Sequence, residues 1–375
     1  MAKPKKTEEG EEKKKRKELT PFSLDSINPN FYLSSGCFAF DCQLGNADND
    51  PDKPQGIASA RMFELFGPNK SAKSELAQCF IRSAIKAKID TVYYDQEWSA
   101  DSKKLGVSLE DWAEHGVIYR ADTLEEFYSQ SYAELDKVMV KQKANKTFGT
   151  DKAVGILIVL DSMAAIKSES EVDKEMGATV MAGSARLNSE EMPKLRRMIG
   201  LTHSILIWVN QTRNKMQTQP GQSPETTPGG ESPRFFADYR ARLAFAGNLW
   251  VKSGKVAPKV IPGQKRGPNG FVTACKMIKN KLAPPMSEEE FAVFFKSAAE
   301  GELSGLSETW TMFYALTSRK KIKSSGGLYD LFGEKFSRAA WPEMHRVHKK
   351  RVQDLYVAAA WGDAPSEAST DDDDD

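Results

Sequence analysis

One short polar segment combines the residues that a polyphosphate site requires. It follows the apolar run Met62–Phe66 and consists of Gly67, Pro68, Asn69, Lys70, Ser71, Ala72, Lys73 and Ser74. In a phosphate-binding loop, successive backbone N–H groups surround the phosphates, a lysine neutralises their outer oxygens, and a hydroxyl holds Mg²⁺. Gly67, Lys73 and Ser74 match the pattern G-x-x-x-x-G-K-[ST], but Ala72 replaces its second glycine. The segment predicts an ATP and Mg²⁺ site, or a binding module without hydrolysis if Ala72 disables the loop.

Three more polar residues end or follow apolar strand candidates. They are Glu97 after Asp90–Asp95, Asp161 at the end of Gly155–Asp161, and Gln211 at the end of Ser204–Gln211. In open α/β sheets, ligands bind at the carboxyl ends of strands. A carboxylate there can orient or deprotonate water, a second can hold Mg²⁺ through water, and an amide can contact a γ-phosphate. Each residue alone is more simply a turn residue or a cap, but together and in this order they predict ATP hydrolysis.

Strand and helix patterns alternate around these residues. The strand candidates are Arg61–Phe66, Asp90–Asp95, Gly155–Asp161, Ser204–Gln211, Ala241–Val251 and Phe271–Met277, and the helix candidates include Lys73–Lys88 and Ser189–Gly200. Nearly continuous apolar strands separated by helices indicate a parallel sheet that is covered on both faces. We therefore predict an α/β fold with a largely parallel, twisted sheet. The polar segment Gln217–Ser232, with three Pro and three Gly, is expected to form a long functional loop.

The two ends of the chain differ strongly in charge. Residues 1–20 carry eight Lys or Arg and five Glu, whereas residues 363–375 carry seven acidic residues and no basic ones. The net charge is only +1, so the remainder of the chain is mildly basic. This distribution suggests a polyanionic partner with which the acidic tail competes, although two solubilising tails would explain it equally well.

Composition and breaks in pattern give the expected organisation. Residues 1–29 form a charged N-terminal segment that is disordered or links protomers, and residues 30–285 form the core. Pro284-Pro285 marks a boundary before a small mixed α/β unit at residues 286–362, and residues 363–375 form a disordered acidic tail.

Several classes of protein do not fit the composition. No apolar run approaches the roughly 18–20 residues that span a bilayer, and the Lys/Glu-rich start does not resemble a secretory signal. Cys37, Cys42, Cys79 and Cys275 lack metal-binding spacing and are expected to be reduced thiols of a cytoplasmic protein. His345 and His348 fit a solvated basic helix face better than a metal site.

Six segments together resemble the RecA family of strand-exchange recombinases. They are Gly67–Ser74, Asp95–Glu97, Asp161–Ala165, Asn210–Arg213, Pro224–Gly230 and Lys279–Pro284. The resemblance covers roughly residues 30–300 and implies a RecA-type ATPase core. The form of the phosphate loop, which lacks the second glycine, is similar to the tailed-phage branch (UvsX-like) and suggests a phage-encoded member.

The resemblance assigns roles within the ATP site. Lys73 and Ser74 would hold phosphate and Mg²⁺, Glu97 would be the catalytic carboxylate, and Asp161 would hold Mg²⁺ through water. Gln211 would sense the γ-phosphate. Two further residues, Lys279 and Lys281, match lysines that reach ATP from the neighbouring protomer, so that hydrolysis would need a filament.

The resemblance also implies two DNA-contacting segments. The first is Asp173–Val180, followed by Met181 and Arg186, and the second is Thr212–Glu231. Within the second, Arg213 and Lys215 would pair with DNA phosphates, Met216 would wedge between bases, and Gly229 and Gly230 would allow close backbone approach.

These assignments predict a DNA-dependent ATPase that polymerises on single-stranded DNA and exchanges strands with a homologous duplex. Its partners would be both forms of DNA, further copies of itself, and phage loader and single-strand-binding proteins, in the host bacterial cytoplasm. One alternative is an ATP-binding, DNA-coating filament protein with little hydrolysis, which Ala72 suggests and Glu97 and Asp161 oppose. A second alternative is a RecA-fold helicase-type motor.

Overall fold

Apolar strands form the centre of the molecule. The structure is a computed structural model that describes residues 29–45, 56–98, 100, 105–172, 183–214, 225–252, 255–257, 269–283, 287–295 and 305–361. Its strands are β1 (Tyr32–Leu33), β2 (Ile57–Ala58), β3 (Arg61–Gly67), β4 (Thr91–Asp95), β5 (Gly116–Tyr119), β6 (Leu157–Asp161), β7 (Ile205–Gln211), β8 (Arg213–Asn214), β9 (Glu225–Thr226), β10 (Tyr239–Lys252), β11 (Lys255–Ala257), β12 (Gly270–Asn280), β13 (Glu288–Phe294), β14 (Gly305–Ser307), β15 (Lys323–Ser325), β16 (Leu328–Leu331) and β17 (Glu334–Phe336).

Helices connect these strands. They are α1 (Phe38–Leu44), α2 (Lys73–Lys86), α3 (Leu109–His115), α4 (Leu124–Ala144), α5 (Glu169–Val172), α6 (Gly183–Thr202), α7 (Ser232–Phe236), α8 (Glu308–Ser318), α9 (Trp341–Val347) and α10 (Lys349–Trp361), with 3₁₀ turns at Met163–Ala165 and Arg338–Ala340. In the described part of the chain, no helix combines the length and the apolar character needed to span a membrane.

The main sheet is largely parallel, as the sequence predicts. Its order is β14-β13-β12-β10-β3-β7-β6-β4-β5, with β11 paired to β10. The strands from β10 to β5 run parallel to one another, and β12, β13 and β14 add antiparallel pairs at one side. The predicted strands that precede Gly67, Glu97, Asp161 and Gln211 are all present, so their carboxyl ends meet at one edge of the sheet.

Both faces of the sheet are buried. Ile207 and Val209 of β7 pack in one core with α1, α2 and the C-terminal helices, whereas Leu206 and Trp208 pack in the other with α4 and α6. Successive side chains of a strand point to opposite faces, so a strand buried on both faces must be apolar at nearly every position. This requirement explains the continuous apolar runs in the sequence.

The sheet continues past residue 285. β13 pairs with β12, and β14 pairs with β13, so residues on the far side of the expected boundary belong to the same sheet. In β13, the buried Glu289 contacts Arg319 at 2.5 Å and accepts a hydrogen bond from the Tyr356 hydroxyl at 2.8 Å. These contacts fasten the end of α8 and helix α10 to the sheet. The division into a core and a small C-terminal domain stays a prediction.

Candidate functional site

The phosphate loop lies between β3 and α2, and main-chain contacts fix both of its ends. The Thr212 N–H donates to the Gly67 carbonyl at 3.2 Å, and the Thr273 hydroxyl donates to the Ser71 carbonyl at 2.9 Å. A Cβ at Gly67 would lie 2.0 Å from the Leu243 carbonyl oxygen, so only glycine fits there. The loop therefore starts directly at the carboxyl edge of the sheet, as the sequence predicts for this segment.

Lys73 is the first residue of α2, and its side chain turns back over the loop. Its ammonium donates to the Pro68 carbonyl at 2.7 Å and lies 3.4 Å from the Ser71 hydroxyl. Burial lowers the pKa of Lys73, whereas the nearby Asp161 and Glu97 carboxylates raise it. A partly desolvated ammonium held by a carbonyl gains a better partner when a polyphosphate enters the loop.

Ala72, the irregular residue, has a left-handed backbone. Its φ is 69° and its ψ is 20°, a conformation that costs a residue with a Cβ about 1–2 kcal/mol. The side chain is 4% exposed and packs in a small apolar cluster with Phe271 and Val293. Packing of the methyl group offsets part of the strain, which explains how an alanine occupies a position that favours glycine.

The variant Ala72→Gly tests whether this strain limits the site. We expect the urea unfolding midpoint to change little, because relief of about 1–2 kcal/mol of strain is balanced by loss of a buried methyl group worth about 0.8 kcal/mol and by the flexibility of glycine. Nucleotide turnover, measured as phosphate release, should rise severalfold because the relaxed loop can approach phosphate more closely. Ala77→Gly, at a buried position inside α2, is the control. It should lower stability without raising turnover, and unchanged turnover in Ala72→Gly would contradict the prediction.

Glu97 and Gln211 meet at the mouth of the phosphate loop. The Ser162 hydroxyl donates to Glu97 Oε1 at 2.7 Å, and Gln211 Nε2 donates to the same oxygen at 3.4 Å. Both residues line a cleft of about 390 Å³, which we call the phosphate cleft. Its described lining is Asn69, Lys70, Ser71, Ala72, Lys73, Ser74, Glu75, Gln78, Glu97, Val209 and Gln211. The sequence interpretation missed Ser162, although a hydroxyl directly after Asp161 at a strand end was a usable signal.

Asp161 ends β6 beneath this cleft. Burial raises the pKa of its carboxyl to about 6 against the opposing effect of Ser74, and Glu97 raises it further. Among the described residues, neither carboxylate oxygen accepts a hydrogen bond within ordinary geometry. The Asp161–Ser162 peptide is cis. Buried, unpartnered carboxylate oxygens near a hydroxyl fit a hard cation such as Mg²⁺, which binds oxygen ligands.

A second cleft adjoins the first. It encloses about 300 Å³ and shares Glu75 and Gln78 with the phosphate cleft. The rest of its described lining is Arg82, Val293, Phe294, Phe295 and Gly305. The Phe295 side chain is 58% exposed, so its ring is accessible from the cleft. No local sequence pattern indicated this cleft, because it forms only where β13 and β14 come to lie beside α2.

Lys279 and Lys281 lie away from the phosphate cleft of their own chain. Lys279 pairs with Arg240 of β10, and Arg240 pairs with Glu64 in the middle of β3. Lys279 is therefore level with the middle of β3 and not with its carboxyl end. The Lys279 ammonium donates to the carbonyls of Arg234 and Phe235, at 3.1 and 2.8 Å. Neither lysine is part of the described lining of the cleft.

Some of the predicted DNA-contacting residues lie where the structure describes the chain. Arg186 projects from α6 and pairs with Glu190 at 3.0 Å, and Arg213 is exposed in β8. Met181, Lys215 and Met216 lie outside the described residues. The structure therefore describes two of these five side chains, and the roles of the other three stay predictions.

The paired glycines pack on helix α6. Gly229 and Gly230 have φ values of 95° and 85°, and a Cβ on Gly230 would lie 2.8 Å from the Ala185 Cβ. The Asn188 side-chain amide donates to the Gly229 carbonyl at 2.8 Å. Both positive φ and close contact with α6 require glycine here, so these residues fix the end of the loop against the helix that carries Arg186.

Asn210 connects the loop to the nucleotide site. Its side-chain Nδ2 donates to the Pro228 carbonyl and to Glu64 Oε1, each at 3.1 Å, and its side-chain Oδ1 accepts the Gln211 N–H at 3.1 Å. Glu64 is fully buried and pairs with Arg240 at 2.6 Å. Asn210 therefore joins the end of the loop to strand β7 directly before Gln211.

The chain is similar to several known proteins. The family model described as the RecA N-terminal domain matches residues 30–300. Protein RecA of Syntrophobacter fumaroxidans is 30% identical over 309 residues, covering 82% of this chain and 76% of the relative. Protein RecA of Rickettsia africae is 31% identical over 279 residues, covering 73% and 69%. A crystal structure of the RadB recombinase aligns with a TM-score of 0.46 and 15% identity, over 70% of this chain and 96% of that one.

Proposed function

Because the chain belongs to the RecA family, we propose that it is a DNA-dependent ATPase that forms helical filaments on single-stranded DNA and catalyses homologous pairing and strand exchange. The observation that carries this proposal is the meeting of Lys73, Glu97 and Gln211 in one cleft, with Gln211 at the root of the candidate DNA loop. In the proposed site, the end of strand β7 contacts ATP through Gln211 and leads directly into the candidate DNA loop.

The residues of the cleft have distinct parts in the proposed hydrolysis. Lys73 and the loop N–H groups bind the β- and γ-phosphates, and Ser74 with Asp161 would hold Mg²⁺, which neutralises charge on the phosphates. Glu97 orients and deprotonates the attacking water, while Ser162 keeps its carboxylate turned toward the cleft. Gln211, already within reach of Glu97, exchanges this contact for the γ-phosphate.

Residues of a second protomer complete the proposed site. Lys279 and Lys281 lie outside the cleft of their own chain and are therefore available to a neighbour in a filament. Two positive charges close to the transferring phosphoryl group would stabilise its transition state, so hydrolysis would depend on assembly. Self-association is thus part of the catalytic proposal.

The DNA-binding proposal rests on the two segments next to the nucleotide cleft. Arg186 and Arg213 are exposed cations that can pair with phosphates, and Gly229 with Gly230 fixes the end of the second segment. Lys215, Met216 and Met181 are proposed to extend these contacts. Contacts to the DNA backbone suit strand exchange because base pairing can then read the sequence.

A second candidate function is supported by the strained Ala72. An ATP-binding protein that coats DNA with little hydrolysis would retain the cleft and tolerate a phosphate loop that fits poorly. Phosphate release with and without single-stranded DNA separates the two candidates. A DNA-stimulated rate supports the ATPase, and a rate near zero in both conditions supports the coating protein.

Strand exchange itself is tested with a labelled single strand and a homologous duplex in the presence of ATP. We expect product from the homologous duplex and none from a heterologous duplex of equal length, together with regular filaments in negative-stain images. Rings in place of filaments, or release of strands without homology, would contradict the proposal and favour a motor.

The second cleft is a suitable site for the adenine base. It continues from the phosphate cleft and presents the exposed Phe295 ring, and a base stacked on an aromatic ring gains about 1–3 kcal/mol. Phe295→Ala should therefore raise the KM for ATP about tenfold, since 1.4 kcal/mol is a factor of ten, and leave kcat nearly unchanged. Phe245→Ala is the matched control, because Phe245 is half exposed and packs on the same Phe271 ring but is not among the described lining residues. An equal change in both variants would contradict a base site at Phe295.

The form of the phosphate loop also motivates a proposal about origin. A phage-encoded protein would act in the bacterial cytoplasm beside phage loader and single-strand-binding proteins. Co-purification of such proteins from infected cells tests this proposal, and recovery of the protein from uninfected cells alone would oppose it.

A further inference from the structure

We propose that Asp238 is a positioning residue that holds the Lys281 ammonium ready for the ATP of a neighbouring protomer. This inference rests on the proposed function, because it requires that Lys281 acts in a second protomer's site. Nothing in the sequence pattern singles out Asp238, which lies between helix α7 and strand β10.

Asp238 is a buried carboxylate with a specific set of partners. The residue is 1% exposed, and its Oδ1 lies 2.8 Å from the Lys281 ammonium. Its Oδ2 accepts the Met62 N–H at 3.0 Å and lies 3.6 Å from the Arg196 guanidinium. A buried carboxylate must be paired to remain charged, so these contacts fix its position firmly.

The neighbouring lysine is held by the same segment. Lys279 donates to the carbonyls of Arg234 and Phe235 at the end of α7. Lys279 lies at the end of β12 and Lys281 directly follows that strand, and residues 232–238 provide partners of both. One short segment therefore sets the position of both positive charges.

The ammonium groups keep capacity for phosphate while they are held. An ammonium has three N–H donors, and the Asp238 contact uses one donor of Lys281, whose side chain is 49% exposed. A lysine that is free in solvent must be ordered when it binds phosphate, and a lysine already anchored has less conformational freedom to lose. Asp238 thus orders the Lys281 ammonium before it contacts phosphate, and leaves N–H donors of that ammonium for the phosphate.

The same segment also contacts the candidate DNA loop. The Arg234 side chain donates to the hydroxyls of Thr226 and Thr227, while the Arg234 carbonyl accepts from Lys279. A movement of the loop on DNA binding would therefore reach Lys279 through Arg234, and Lys281 through the same segment at Asp238. This connection makes DNA-stimulated turnover the appropriate readout.

The experiment is a double-mutant cycle in the full chain with Asp238→Asn, Lys281→Met and the double variant. We expect Lys281→Met to lower DNA-stimulated kcat about 100-fold, comparable with loss of one transition-state donor, and Asp238→Asn to lower it about tenfold. The double variant should match Lys281→Met alone, because Asp238 acts only through Lys281. Binding of a fluorescent ATP analogue without DNA should be unchanged in all three, since neither Asp238 nor Lys281 is among the described lining residues of the cleft in its own chain.

Two further variants separate positioning from structural support. Arg196→Gln removes the more distant cation near Asp238, at 3.6 Å against 2.8 Å for Lys281, and should lower kcat less than Asp238→Asn does. Asp238→Glu keeps the charge and should restore part of the lost kcat even if both Asp238 variants are equally destabilised in urea.

The outcomes distinguish the inference from the function on which it rests. If Asp238→Asn lowers kcat by the same factor with and without Lys281, the positioning role is overturned and the proposed function stands. If Lys281→Met leaves DNA-stimulated turnover intact, the action of this lysine in a second protomer is itself wrong, and the positioning role is overturned with it.

Discussion

Replacing Glu97 with glutamine is expected to lower DNA-stimulated ATP hydrolysis by about 10²–10⁴-fold, the usual contribution of a general base. Glutamine keeps the oxygen that accepts the Ser162 hydroxyl at 2.7 Å, so the side chain should stay in place. It cannot take a proton from water, and this loss accounts for the whole effect. Single-turnover phosphate release measures the chemical step directly.

Binding and assembly should survive this substitution. Glu97→Gln leaves Lys73 and the phosphate loop intact, so ATP should bind at least as tightly and filaments should persist longer because hydrolysis no longer dissolves them. Glu110→Gln, on the exposed surface of α3, controls for loss of a negative charge and should behave as the native protein does. Hydrolysis within tenfold of native in Glu97→Gln would exclude Glu97 as the base.

Replacing Lys73 with methionine is expected to weaken ATP binding about 100-fold or more. The ammonium is the buried cation of the phosphate loop, and charge-assisted hydrogen bonds contribute about 1.5–3 kcal/mol each. Isothermal titration with a slowly hydrolysed ATP analogue gives the affinity. Lys70→Met is the matched comparison, since Lys70 lies in the same loop but is exposed, and it should cause a much smaller loss.

The stability of the Lys73→Met variant should not fall, although its affinity for ATP does. Burial already lowers the pKa of Lys73, so its charged form carries a desolvation cost that methionine lacks. We expect the urea midpoint of Lys73→Met without nucleotide to equal or exceed that of the native chain. A large drop in this midpoint would mean that Lys73 supports the fold, and a loss of affinity could then no longer be assigned to direct phosphate contact.

Much of the fold could be predicted because the relevant patterns are local. A strand buried on both faces has to be apolar at nearly every position, and β3, β4, β6 and β7 follow this rule, with the buried Glu64 of β3 paired to Arg240. Parallel strands share one carboxyl edge, so Glu97, Asp161 and Gln211 could be grouped from their positions alone. The structure accordingly brings Glu97 and Gln211 together and places Asp161 beside them.

Other features depend on contacts between distant segments. The left-handed backbone of Ala72 is tolerated because Phe271 and Val293 cover its methyl group, and neither residue is near it in sequence. Ser162 becomes relevant only when β4 and β6 pair and bring it to Glu97. Phe295 becomes a cleft residue only when β13 joins the sheet beyond the expected boundary at residue 285.

The sequence by itself determined the chemistry available to this protein, since a phosphate loop and strand-end carboxylates are encoded by residue type and spacing. Only the tertiary structure decided how these groups are held: Glu97 by Ser162, Lys281 by Asp238, and the Gln211 side chain against Glu97. The physical reason is that burial and hydrogen-bond geometry depend on which distant segments meet, whereas strand patterns and loop motifs depend on neighbours along the chain.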